Sequence, residues 1–128
     1  MNTKYKPAEE WFRQADYDFK TAQAMFKAKR YLYTVFFCHL SIEKALKGIY
    51  AQRLKKDPPK VHNLNYFCDK LELELSLDFK MFINKLNDLS VPTRYPDEIE
   101  SLVMQYDRSM TLKVLNKTKG ILLWLKKV

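Results

Sequence analysis

The amino-acid sequence predicts an all-α fold, an up-down four-helix bundle with an additional short helix. Two observations support this prediction. The 128 residues contain only two glycines, too few for the many turns of a β fold or for a glycine-rich phosphate-binding loop. Apolar residues recur with helical spacing along most of the chain. The length is typical of one domain, so we expect residues 1–128 to form a single helical domain.

The first helix is predicted to follow Pro7. Proline suits the opening turn of a helix, and the acidic pair Glu9 and Glu10 complements the positive end of the helix dipole. The apolar positions after this start share one face of the helix. They are Trp11, Ala15, Phe19, Ala22 and Phe26.

A second helix begins at Tyr31 and is ended by Pro58 and Pro59, after about 25 residues. It is apolar on most sides, so we expect it in the middle of the bundle. One of its stripes contains only small side chains, which would let another helix approach closely. That neighbour is either a helix of the same chain or the same helix of a second subunit. The stripe consists of Cys38, Ser41, Ala45 and Gly48.

The remaining chain predicts two shorter helices and a last long one. Asn63 can cap a third helix, and a fourth apolar pattern starts at Ser76, so the two form an antiparallel pair or one kinked helix. The prolines at positions 92 and 96 predict an ordered loop over residues 90–97. Asp97 with Glu100 resembles a capping box for a short turn. The last helix is predicted from Ser109 to Lys127.

The cysteines, the N-terminus and the histidines indicate the cellular compartment and whether a metal or cofactor is expected. Cys38 and Cys68 lie within apolar helical patterns, which favours buried free thiols over a disulfide. The polar N-terminus and the shortness of the longest apolar stretch, Tyr31–Leu40, predict a cytoplasmic protein that does not enter a membrane. The two histidines lie on different segments and no CxxC or HExxH spacing occurs, so we expect neither a metal nor another cofactor.

The formal charge of +8 is unevenly distributed along the chain. Residues 61–107 carry −5 and lie between residues 30–60, with +5, and residues 108–128, with +6. Such asymmetry is typical of a surface for an anionic partner. The commoner cause of such charge is the ordinary solvated face of an amphipathic helix.

The second helix carries a line of polar side chains within its apolar sequence. His39, Glu43 and Lys47 are spaced by four residues along one face, with Lys44 beside them. Polar groups on a buried helix must be paired or must open onto a cleft. The line is therefore either a structural ion pair or the wall of a binding site.

Two segments that contain proline supply further polar candidates. His62 follows the Pro58-Pro59 pair, and Arg94, Tyr95 and Asp97 surround Pro96. Loops carry binding residues more often than helix interiors do. Arg94 is the best candidate for an anion contact, because a guanidinium can hold a phosphate or a carboxylate with two hydrogen bonds.

Four short motifs together resemble the HEPN domain (higher eukaryotes and prokaryotes nucleotide-binding domain). They occur in the order of that family over roughly residues 8–127. The motifs are Trp11, Ala15 and Asp18; Glu43, Lys44, Ala45 and Lys47; His62 and Leu64; and Arg94, Tyr95, Pro96 and Asp97. The resemblance implies an up-down helical bundle that is usually a homodimer. It also implies a gene pair with a minimal nucleotidyltransferase, in a two-component or toxin–antitoxin-like arrangement.

Many members of that family are metal-independent RNases with an Arg-x4–6-His motif, from which this sequence departs. No histidine follows Arg94 or Arg108, while Arg30 and Arg53 each precede a histidine by nine positions. Histidine is the side chain best suited to acid–base catalysis near neutral pH. We therefore expect no catalytic residue and no RNase activity by the mechanism of the family.

The interpretation that follows is a non-catalytic HEPN-type module, homodimeric, which acts with a minimal nucleotidyltransferase partner and binds a nucleotide or another phosphate-bearing ligand. The alternative is an RNA-binding or RNA-cleaving HEPN toxin of a toxin–antitoxin pair. In a third interpretation, the Arg94 loop merely holds the last helix. The residues assigned to the ligand site are Glu43, Lys44, Lys47, His62, Arg94, Tyr95 and Asp97.

Overall fold

The computed structural model describes residues 4–89 and 96–128, and within these ranges every regular element is an α-helix. The predicted all-α class is therefore confirmed. Most of the predicted loop over residues 90–97, including Arg94 and Tyr95, lies outside the described residues. The helices are α1 (Ala8–Lys27), α2 (Tyr31–Leu54), α3 (Leu64–Lys70), α4 (Leu77–Asn87), α5 (Pro96–Gln105) and α6 (Arg108–Leu125).

Helix α2 lies at the centre of the bundle and contacts α1, α3, α4, α5 and α6. Buried residues occur on all of its sides, as its apolar sequence predicts. None of the helices within the described ranges is both long and apolar enough to cross a membrane. The largest fully buried apolar side chains belong to α2, α3, α4 and α6, and they include Ile42, Leu46, Leu64, Phe67, Ile83, Leu86 and Ile121.

The stripe of small residues on α2 packs against α1 of the same chain. Ser41 donates its hydroxyl hydrogen to the carbonyl oxygen of Ala15 at 2.8 Å. At Gly48 an added Cβ would lie 2.5 Å from Cε1 of Phe12, closer than two carbon atoms can pack. At these two positions the contact is therefore within one chain, the first of the two alternatives for the stripe.

Replacing Gly48 with alanine is expected to lower the free energy of unfolding by about 1 kcal/mol. Alanine favours the helix by about 1 kcal/mol, but forcing the Phe12 ring aside costs about 1–3 kcal/mol. Gly120→Ala is the matched control, since its Cβ would meet only Cζ of Phe79, at 4.0 Å, and we expect it to stabilise the protein. Urea unfolding of both variants measures the difference, and a stabilised Gly48→Ala variant would contradict the close α1–α2 contact.

The ends of α2 and α3 have local causes. Helix α2 stops at Leu54, before the prolines, because Lys55 adopts a left-handed φ of 54° and donates its N–H to the carbonyl of Ala51. Asn63 caps α3 as predicted, by accepting hydrogen bonds from the backbone N–H groups of Asn65 and Tyr66. A second left-handed residue, Glu72 with φ 52°, separates α3 from α4. The two are therefore distinct helices and not one kinked helix.

The start of α5 corrects the prediction for residues 96–97. Helix α5 begins at Pro96, because proline is well suited to the first position of a helix. Asp97 thus belongs to the first turn of α5, so the prediction of loop structure at these two residues was wrong. The predicted capping box at Asp97 was also wrong, since a capping residue precedes the helix. Helix α6 is capped instead by Asp107, whose carboxylate accepts from the N–H of Met110 at 2.9 Å.

Both cysteines are free and buried, as predicted. Burial raises the pKa of the Cys38 thiol from 9.0 to about 12. Burial likewise raises the pKa of Cys68 from 9.0 to about 11, with a smaller contribution from Asp69. The thiolate is the reactive form of cysteine, so both side chains serve as core residues.

Candidate functional site

A buried carboxylate occupies the middle of α2. Glu43 is 3% exposed, and its Oε2 accepts a hydrogen bond from Nζ of Lys47, one turn further along the helix, at 2.9 Å. Lys47 is itself only 7% exposed. A buried charge is tolerated when it is paired and hydrogen-bonded, so each of these side chains depends on the other.

The same carboxylate holds an exposed imidazole. Nδ1 of His62 lies 3.1 Å from Oε2 and 3.2 Å from Oε1 of Glu43. An ionised carboxylate only accepts hydrogen bonds, so we assign the proton of a neutral His62 ring to Nδ1. Nε2 then faces a side of the ring that solvent can reach, since the side chain is 63% exposed. It can accept a hydrogen bond or, when the ring is protonated, donate one.

His39 lies beneath this pair and completes what we call the Glu43 cluster: His39, Glu43, Lys47 and His62. Its Nδ1 is 3.8 Å from Oε1 of Glu43, beyond hydrogen-bond distance. Burial lowers the pKa of His39 below 6.5, although the carboxylate of Glu43 acts in the opposite direction. His39 is therefore neutral at pH 7. Within the described ranges its Nε2 has no hydrogen-bond partner.

The lowered pKa of His39 makes stability depend on pH. The unfolded chain binds a proton near the ordinary pKa of 6.5, whereas the folded chain resists protonation until lower pH. The contribution is therefore present above pH 6.5 and is lost as the pH falls through the lower pKa of the folded state. We expect His39→Gln to flatten the decrease in unfolding free energy between about pH 6.5 and pH 5.

Urea denaturation at several pH values measures this dependence. The control is Val35→Ala, which removes buried side-chain volume from α2 without removing a titrating group; Val35 is 0% exposed. It should lower stability equally at each pH. An unchanged slope in His39→Gln would contradict the burial of a neutral His39.

Aromatic rings flank the lysine of the cluster. Nζ of Lys47 lies 5.7 Å from the ring centroid of Trp11 and 5.8 Å from that of Phe67. Nζ of Lys6 is 4.3 Å from the same Trp11 ring. Cations at these distances are attracted to the face of an aromatic ring. Helices α1 and α3 thus help to hold Lys47 beside Glu43.

The segment that carries His62 is anchored by asparagine side chains. The backbone N–H of Leu64 donates to Oδ1 of Asn87 at 2.8 Å. Nδ2 of Asn87 donates to Oδ1 of Asn63 at 3.2 Å. Nearer α2, the carboxylate of Asp57 accepts from the backbone N–H of Lys6 at 2.8 Å. Contacts with α4 and with the N-terminal segment therefore fix the connector that presents His62 to Glu43.

The structure brings three of the predicted site residues together: Glu43, Lys47 and His62. Lys44 points elsewhere, since its Nζ lies 2.7 Å from Oδ2 of the buried Asp18 in α1. This is an ion contact whose geometry is not that of a hydrogen bond. Asp97 is exposed on α5.

Two participants were absent from the predicted set. The spacing of His39 from Glu43 was visible in the sequence, yet only burial reveals that its imidazole is neutral. Asn87 carried no sequence signal, because it reaches the connector through the docking of α4 against α3. The side chain of Asn87 raises the pKa of His39, though less than burial lowers it.

Comparisons with known proteins found one family model and two solved structures of similar fold. A family model described as HEPN domain matches residues 8–128. The crystal structure of TT1696 from Thermus thermophilus has a TM-score of 0.79 and 23% identity, and the match covers 94% of this chain and 96% of that one. ST0689, an archaeal HEPN homologue, has a TM-score of 0.74 and 20% identity, with 95% and 97% covered. No curated protein matches the sequence significantly.

Proposed function

Because this chain belongs to the HEPN domain family, we propose that it is a non-catalytic, homodimeric HEPN module that acts with a minimal nucleotidyltransferase partner. We further propose that it binds a nucleotide or another phosphate-bearing ligand at the Glu43 cluster. The observation that carries the binding proposal is the exposed imidazole of His62, held at Nδ1 by a buried carboxylate at 3.1 Å.

The charges of the cluster suit an anion. Lys47 offsets the charge of Glu43, and the buried His39 is neutral, because its pKa is lowered by burial. Protonation of His62 therefore leaves one net positive charge, at the only ring of the cluster that is mostly exposed. Nε2 of a protonated His62 ring would donate a charge-assisted hydrogen bond to a phosphate oxygen. Such a bond is stronger than one between neutral groups.

Arg94, Tyr95 and Asp97 belong to the proposed site through the sequence motif alone. A guanidinium from Arg94 would add the bidentate phosphate contact that the single imidazole does not offer. Lys44 is assigned a smaller role than the sequence suggests, because its ammonium group is 2.7 Å from Asp18.

The non-catalytic part of the proposal rests on the spacing of arginine and histidine. No arginine of the sequence is followed by a histidine at the spacing of the Arg-x4–6-His motif. The homodimer and the nucleotidyltransferase partner rest on the family resemblance. Sedimentation tests the first, and co-purification with the product of an adjacent nucleotidyltransferase gene tests the second. A monomer at all concentrations would contradict the homodimer.

Titration of fluorescently labelled ATP and GTP tests the binding site. We expect saturable binding that His62→Ala weakens about tenfold or more, the effect of losing one charge-assisted hydrogen bond. Lys119→Ala is the control, since it removes an exposed charge from α6 and should leave the affinity nearly unchanged. Absence of saturable binding, with or without the partner, would refute the ligand part of the proposal.

RNA binding through the basic helices is the second candidate function. Residues 108–128 contain six basic and no acidic residues, and Lys113 and Lys119 are exposed on α6. Part of this charge is offset, because Nζ of Lys117 lies 2.6 Å from Oδ2 of Asp78 in α4. Salt-sensitive retention of total RNA, or its cleavage, would favour this candidate. Loss of that activity in Arg94→Ala would assign it to the Arg94 segment.

A further inference from the structure

A cavity of about 360 Å³ opens between α1, α2 and α6, on a different set of residues from the Glu43 cluster. Its walls are mainly apolar and come from all three helices. The apolar lining includes Phe12, Ala15, Ala45, Ile49, Leu122 and Leu125.

The cavity exists because two of its lining residues are alanines. Ala15 of α1 and Ala45 of α2 both line the cavity, so side chains that end at Cβ stand where larger ones would fill the space. The ring of Phe12, which could otherwise fill it, lies against Gly48. The cavity is a partly open cleft in the surface and not a void in the packed interior.

Its volume corresponds to a specific size of molecule. Ligand pockets in proteins usually begin at about 300 Å³. An apolar cavity of about 150 Å³ holds one benzene molecule, and this cavity is a little more than twice as large. A molecule with two fused rings would fit, and the apolar walls favour a ligand with few polar groups.

The charged groups at the rim of the cavity favour an uncharged ligand. The rim carries Asp16 from α1 and Lys126, the residue after α6. One group is negative and the other positive, and neither forms an ion pair within residues 4–89 and 96–128. Their charges cancel locally, in contrast to the strongly basic surface of residues 108–128. The basic surface of residues 108–128 therefore attracts an anion more strongly than this rim does.

We propose that this cavity is a second binding site, for an uncharged two-ring aromatic molecule. Its occupant lies on the apolar walls of Ala45, Ile49 and Leu125, and Gln52 at the rim can donate a hydrogen bond to a single polar atom or accept one from it. This site is independent of the proposed phosphate site.

Titration with indole, followed by NMR of the methyl groups, tests the proposal on the intact protein. We expect saturable shifts at the methyl groups of Ile49, Leu122 and Leu125, with a dissociation constant of about 1 mM or tighter, the range for a ligand of this size. The anion 1-naphthalenesulfonate should bind no more tightly than indole, because the positive and the negative group at the rim offset each other. Shifts spread over other surfaces, or none, would overturn the proposal, as would preference for the anion.

Ala45→Leu tests the location by filling the cavity. It should abolish the indole shifts, whereas Ala24→Leu, the same change at an exposed position of α1, should leave them intact. If Ala45→Leu does not fold, the methyl map of the wild-type protein decides alone. Shifts at the lining methyl groups that depend on protein concentration without indole would assign the cavity to a second copy of the chain, and would also overturn the proposal.

Discussion

Replacing Glu43 with leucine is expected to lower the free energy of unfolding by about 3–5 kcal/mol, the usual cost of removing one partner from a buried ion pair. The ammonium group of Lys47, now 2.9 Å from Oε2 of Glu43, would be left buried without a counter-charge. His62 would lose its hydrogen-bond acceptor as well. Urea unfolding monitored by circular dichroism measures the loss.

The double variant Glu43→Leu/Lys47→Met tests whether the unpaired charge of Lys47 causes the loss of stability. It should recover most of the lost stability, because replacing both members of a buried pair with apolar side chains of similar volume is often neutral. The exposed pair Asp78 and Lys117 is the control: Asp78→Ala should cost less than about 1 kcal/mol. If Glu43→Leu cost no more stability than Asp78→Ala, water would have to reach Lys47. That result would contradict a buried cluster.

Replacing Phe67 with alanine is expected to cost about 3–5 kcal/mol, the range for truncation of a buried phenylalanine. Its side chain is 0% exposed, and its ring centroid lies 6.0 Å from that of Tyr50 in α2. The truncated residue would leave a void between α2 and α3. Thermal and urea unfolding should both show the loss.

The neighbouring ring provides the control for that variant. Tyr66 is 39% exposed, and its ring centroid lies 5.2 Å from that of Phe67. Tyr66→Ala removes an aromatic ring of similar size from the outside of α3 and should cost much less. If the two variants lose equal stability, burial does not explain the loss, since alanine favours a helix at both positions, and the central packing of α3 is contradicted.

The helices, and one contact of the site, could be predicted from local spacing. Residues four apart on a helix are neighbours, so Glu43 and Lys47 were bound to meet wherever α2 formed. Local spacing could not decide whether these residues form a structural ion pair or the wall of a binding site. In the structure the carboxylate is buried with Lys47 and also holds an exposed His62, so the ion pair is present, and the binding site stays a proposal.

Contacts across the bundle could not be predicted in the same way. His62 is 19 residues from Glu43 along the chain, and it reaches the carboxylate because α3 and α4 fix the path of the connector. Lys44 is next to Glu43 in the sequence, yet it faces α1 and its ammonium group lies near Asp18. A difference of one residue rotates a side chain by about 100° around the helix, so the position of α1 decides which partner each lysine finds.

The periodicity of apolar residues, the scarcity of glycine and the spacing of polar residues along α2 are sufficient to define an all-α chain with a buried charge in its central helix. The partners of that charge, the neutral state of His39 and the hollow beside Ala45 depend on how the helices pack. Hydrophobic periodicity records which face of each helix is buried. It does not record the distance or rotation between helices, and those set side-chain contacts, desolvation and cavity volume.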